Sequence, residues 1–219
     1  MAGLPTLVPD HALHGQILDA YMTVIGRDGW EGARIDVVAT AAGTSTAAVA
    51  EAFADRWQAL RAYGLSLDRA ALGEAASDVG ANVRDRLFTL LMERFDAGQG
   101  HRLAAAKIAE AARRDPALAA FMVVALTRSV ARLADAAGVA TGGLLGPFRV
   151  QALTMLTLQV TRAWLDDDSE DLGPTMKALD ESLARAESWV RKMPHRATVN
   201  SAAVSPAAVP RLTDDRLAE

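Results

Sequence analysis

Cysteine is absent from the 219 residues, which excludes disulfide frameworks and thiolate metal sites. Aromatic residues are scarce at 5%, yet 51% of the chain is hydrophobic, so its apolar content is carried by Ala, Leu and Val. With Arg and Glu at helical spacing, that composition favours packed helices over sheet. The start, Met1-Ala2-Gly3-Leu4-Pro5, lacks the basic region and long apolar core of a signal peptide. The longest aliphatic stretches, such as Phe121 to Leu126, are too short to span a bilayer, so a soluble, cytoplasmic protein is expected. Positive charge is missing from one place in particular. Residues 1–60 hold only Arg27, Arg34 and Arg56 against seven carboxylates, so the whole net charge of −4 sits there and the remainder is balanced. Nucleic-acid-binding segments usually show the opposite sign.

What is present is helical periodicity. From Asp10 to about Arg27 the residues Leu13, Ile17, Tyr21, Val24 and Ile25 recur at helical spacing, with Asp10 as N-cap and Gly29 as terminator. Short helices are expected from Arg34 to Ala42 and, after Gly43, from Ser45 to Ala52. Longer ones follow over Asp55–Ser77, Val83–Phe95, His101–Arg113, Pro116 to near Gly138, and Phe148–Leu165. The last runs from a cap at Asp171 or Ser169 to about Lys192; Asp171 is preferred because it puts Pro174 in the first turn. Along it Leu172, Met176, Leu179, Leu183, Ala186 and Val190 form a seam suited to packing on another helix. After Met193 the composition turns to Pro, Ala, Val, Thr and Asp, which reads as a disordered tail. No strand pattern competes, and the expected fold is all-α.

The stretch Ile17 to Leu60 carries a specific array: Ile17-Leu18-Asp19-Ala20, Gly29-Trp30-Glu31-Gly32, Ile35, Ala39-Thr40-Ala41-Ala42-Gly43-Thr44-Ser45 and Phe53. Gly43 lets the chain reverse between two short helices and Ser45 starts the second, which is a helix-turn-helix arrangement. This gapless array resembles the head of the TetR family of transcriptional regulators. The resemblance implies a head over 1–54, a helical ligand-binding and dimerisation body over 55–192, and the tail over 193–219. It also implies a homodimer, double-stranded DNA as partner and a small hydrophobic ligand or lipid as effector. DNA contacts would come from Arg34, Thr44, Ser45, Thr46, Ala48, Ala50, Glu51 and Arg56. Three of these depart from the family pattern. Ala50 stands where a phosphate-touching tyrosine is usual, Glu51 where a histidine or another polar residue is, and Thr46 where a base opens the recognition helix. The C-terminal stretch Ala163 to Asp171, with Thr175-Met176 and Leu179-Asp180, is similar to the end of the TetR-fold lipid-binding accessory protein of coenzyme Q biosynthesis. That second resemblance implies an alternative function, a lipid or isoprenoid carrier that does not bind DNA.

In the body, Phe88, Met92, Phe95, Phe121, Met122, Phe148, Met155 and Trp164 are the expected pocket lining, with ordinary core packing as the plainer reading of any one of them. Leu153, Leu156 and Val160 from one helix, with Met176, Leu179, Leu183 and Val190 from the next, are the expected dimer interface. His11 and His14 share a helix face but have no third ligand nearby, and the run Asp166 to Asp171 lacks the glycine and spaced ligands of a calcium loop. No nucleophile elbow or phosphate loop is present. Neither a catalytic site, nor a cofactor, nor a bound metal is therefore expected.

Overall fold

The computed structural model describes residues 11–74 and 82–192. Among them the chain is entirely helical: α1 (His11–Asp28), α2 (Ile35–Ala41), α3 (Thr46–Ala52), α4 (Arg56–Glu74), α5 (Val83–Ala97), α6 (Arg102–Ala112), α7 (Pro116–Ala137), α8 (Gly146–Leu165) and α9 (Gly173–Lys192), with 3-10 turns at Trp30–Gly32 and Gln99–His101. Asp10, the end of the predicted Asp55–Ser77 helix and the predicted tail lie outside the described residues.

Two apolar cores hold the helices. The first gathers Ile17, Tyr21, Val24 and Ile25 of α1 with Val38 of α2, Val49 of α3, Phe53 and Leu60. It does not stop at residue 54, because Ala104 and Ile108 of α6 and Leu118 of α7 belong to it. Trp30 packs edge-on against Trp57 at 5.1 Å and Trp57 against Phe121 at 5.2 Å, a ladder of rings from the first turn through α4 to α7. The second core joins Leu87, Leu91 and Phe95 of α5, Leu133 of α7, Leu156 and Val160 of α8, and Leu172, Leu179 and Leu183 around α9.

The helix ends follow local chemistry. Asp115 caps α7 by accepting from the amides of Ala117 and Leu118, Pro116 fills the first turn, and Gly138 closes the helix at φ 85°. α7 is long and apolar enough, by length and composition alone, to cross a bilayer, which the short aliphatic stretches did not foretell. Interspersed alanines extend its apolar character, and it packs against α4, α5, α6 and α8. The cap of α9 differs from the expected Asp171. That residue accepts only from the Gly173 amide at 3.1 Å. The buried cap is Asp167, which accepts from the amides of Thr175 and Ser169 at 2.9 and 3.0 Å and from the hydroxyls of the same two residues.

Candidate nucleic-acid interface and ligand-binding body

α2 and α3 meet through a turn in which Gly43 adopts φ 63°, a left-handed conformation that a side chain disfavours. Ser45 then takes an extended conformation and its hydroxyl accepts from the Ala48 amide at 3.1 Å, satisfying one of the free donors that open α3. Val49 is buried against the head core, and Phe53 closes the helix. Thr46, Ala47, Ala50 and Glu51 are left exposed along one face, while Thr44 and Ala48 are half-buried. The exposed face thus offers one hydroxyl, one carboxylate and no base. Gln16 of α1 steadies this pair by donating to the Ala42 carbonyl at 2.8 Å.

Both basic residues expected to reach phosphate are engaged by acids. Arg34, the residue before α2, forms a two-bond pair with Asp36 at 2.7 and 3.1 Å. Arg56 donates to the Trp30 carbonyl at 3.1 Å and to Glu31 at 2.8 Å, with its guanidinium 4.8 Å from the Trp30 ring. Exposed pairs of this kind are worth about 0–1 kcal/mol, so a phosphate can replace either carboxylate.

The predicted pocket residues do not all come together. Phe88, Met92, Phe95 and Trp164 belong to the second core, and Phe121 and Met122 pack against the first. Phe148 and Met155 lie on the outside of α8, 74% and 54% exposed. Helical periodicity places a residue on a face, but cannot say which of two cores that face meets. The predicted dimer seam shows the same limit. Leu156, Val160, Leu179 and Leu183 are buried within the chain itself, Leu153 is half-buried, and the Val190 side chain lies outside the described residues. Of the described seam residues Met176 is exposed; Leu144, Leu145, Phe148 and Met155, in and before α8, are exposed as well. An open groove of about 380 Å³ runs between α8 and α9, lined by Gln159, Val160, Arg162, Ala178, Glu181, Ser182 and Arg185.

Two polar groupings had no signal in the sequence. His101, in the 3-10 turn before α6, contacts Asp19 of α1 at 2.9 Å and meets the Tyr63 ring edge-on at 5.4 Å. Burial pushes the Tyr63 phenol up to about 12, with Arg94 nearby opposing the shift and Asp19 adding to it. Deeper in the body, Asp68 of α4 is 2% exposed and sits between α5 and α7. It accepts from Arg94 Nε at 3.0 Å, from Ser129 Oγ at 2.5 Å and from both Nε and Nη2 of Arg132. Among the described residues no group of three or more His, Cys, Asp or Glu side chains is arranged to hold a metal ion.

This arrangement of helices is that of TetR transcriptional regulators. The regulator from Nitrosomonas europaea superposes with a TM-score of 0.68 at 20% identity, covering 81% of this chain and 99% of that one. A Rhodococcus sp. protein assigned to the TetR family gives 0.57 at 24% identity over 78% and 99% of the two chains. A TetR-like regulator from Rhodococcus sp. RHA1 gives 0.54 at 18% identity over 85% and 99%. No sequence-family model matches the chain, and no curated protein matches it by sequence. At these identities the likeness establishes the TetR-like fold.

Proposed function

We propose that the chain is a TetR-type transcriptional regulator, a cytoplasmic homodimer that acts as a repressor and is released by a small hydrophobic effector. Residues 1–54 serve as its DNA-binding head and 55–192 as its effector-binding and dimerisation body. The observation that carries this reading is the helix-turn-helix of α2 and α3. Its turn glycine at φ 63° and serine cap are set in a fold shared with TetR regulators over 81% of the chain. Thr44, Ser45 and Thr46 are nearest the bases in this reading, and Arg34 and Arg56 exchange their carboxylate partners for phosphates. A gel-shift assay of the full chain on the DNA upstream of its own gene tests it. A discrete complex, resisting non-specific competitor, supports the reading; no complex at micromolar protein in low salt overturns it.

A second reading, a TetR-fold lipid carrier that does not bind DNA, is favoured by one observation. The exposed face of α3 presents Glu51 and no base, and both nearby arginines are already held by acids. Mass spectrometry of lipids carried through purification tests it, with a stoichiometric isoprenoid or acyl lipid as the supporting result.

A further inference from the structure

α4 and α7 run side by side in the same direction. The Trp57 ring and the Arg61 guanidinium of α4 stand 5.2 and 5.9 Å from the Phe121 ring, and further along Asp68 bonds Ser129 and Arg132. Residues 61–72 and 121–132 therefore share a seam about 17 Å long. Helical spacing sets Arg61, Leu65, Arg69 and Leu72 on one stripe of α4, with Val124 and Arg128 on the adjoining stripe of α7. All of them are exposed, Leu65 and Leu72 by 38% and 36% and Val124 by 49%. Before the last turn of either helix the single acid is Asp68, which is buried. Among the described residues Arg61, Arg69 and Arg128 form no ion pair. α7 is also the described helix long and apolar enough to cross a bilayer, yet only 28% of that stretch is buried within the chain. A helix so apolar is ordinarily enclosed.

We propose that this face docks peripherally on an anionic phospholipid bilayer, with Arg61, Arg69 and Arg128 at the head groups and Leu65, Leu72 and Val124 in the acyl boundary. The alternation of the two residue types suits such a surface. Arginine stems cover apolar area while their charged ends meet phosphates, and the aliphatic side chains leave water. A nucleic acid would satisfy the arginines but leave the leucines and the valine wet. A second copy pairing two-fold through the same face would set arginine against arginine, which is unfavourable. The attachment is reversible, since a few arginines and aliphatic side chains hold far more weakly than a spanning helix. It goes beyond the proposed regulatory function and stands whether or not the head reads DNA.

Flotation of the full chain with vesicles tests the proposal. Vesicles of equal parts phosphatidylglycerol and phosphatidylcholine should carry it at low salt, and phosphatidylcholine alone should not. Arg69→Gln with Arg128→Gln should lower the partitioning about twenty-five-fold, or about five-fold per charge. Leu65→Ser with Val124→Ser should lower it about five-fold or more. Circular dichroism checks each fold; if the apolar variant does not fold, a fluorescent label decides. The chain lacks cysteine, so Val124→Cys can carry an environment-sensitive dye whose emission should shift to the blue on the anionic vesicles. The same dye at Ala184→Cys on α9 should not shift. Equal binding to both vesicles, no binding to the anionic ones, or a shift at Ala184 without one at Val124 overturns the proposal. So does vesicle binding that the arginine changes abolish together with binding to random duplex DNA while the apolar changes leave both intact, which makes the face a polyanion site. Conversion of a dimer to a monomer by either double variant in light scattering overturns it too, and assigns the face to self-association.

Discussion

Asp167 shows how a single side chain in an acidic run acquires a structural task. Burial alone would raise its pKa, but hydrogen bonds from Ser169 and Thr175 outweigh that and hold it at about 2. A carboxyl depressed on folding stabilises the folded chain above its unfolded pKa, near 4, and that contribution disappears as pH falls toward 2. Asp167→Asn should therefore melt below the wild type at pH 7, with the difference shrinking to nothing as pH falls from about 4 to about 2; thermal melts across that range measure it. At the proposed DNA interface, Arg56 and Glu31 should respond with opposite signs. Arg56→Ala should weaken binding to all DNA sequences about equally and lower the salt slope by about one, while Glu31→Gln, which frees the guanidinium, should strengthen non-specific binding. Salt-dependent fluorescence anisotropy reads both.

α3 is a helix of seven residues whose outward face carries one hydroxyl, one carboxylate and no base. Its N-terminal cap and turn suit the proposed DNA-reading head; its exposed Ala50 and Glu51 do not. Ala50→Tyr combined with Glu51→His adds a phosphate donor and removes a repelling charge in each subunit. That should tighten non-specific DNA binding by about 1–3 kcal/mol per dimer at moderate salt, and an unchanged affinity would show that α3 does not approach DNA. At the other end of the chain, the entry into α8 depends on Gly146. A Cβ there would lie 1.8 Å from the Thr141 carbonyl oxygen, so backbone must move to admit any side chain. Gly146→Ala should lower stability by about 1–3 kcal/mol in urea unfolding, whereas Gly15→Ala, with open space around its Cβ, should not.

For the whole molecule, the apolar surface that remains bears on the proposed pairing of two copies. The inward residues of α8 and α9 are used within the chain, so in the proposed homodimer the partner would cover exposed apolar residues of α8 such as Phe148 and Met155. A stable pairing needs on the order of 1,600 Å² of buried surface or more. Introducing charge into that face with Phe148→Glu and Met155→Glu should convert the dimer to a monomer in light scattering while leaving the helical circular dichroism intact. A wild-type monomer at micromolar concentration would remove the dimer from the proposed function.

Local chemistry in the sequence determined the helices, most of their caps and the helix-turn-helix. The signals there are short-range: the 3.6-residue period, Gly43 at the reversal, Ser45 and Asp115 at helix starts, Gly138 at a helix end. The acidic balance of the head was legible too, and the structure added that its arginines are paired with acids. The sequence could not say what each helix face would meet. Leu179 and Leu183 had the right spacing for an interface with a second chain, yet they turn toward α5 and α8 of their own. Phe148 and Met155 had the composition of a pocket and stand on the outside. The pairing of His101 with Asp19, and of Asp68 with Arg94, Ser129 and Arg132, joins residues far apart in the chain and leaves no periodic trace. Periodicity specifies an azimuth around one helix axis, whereas the partner of that azimuth depends on how all the helices share a limited interior, which only the tertiary packing decided.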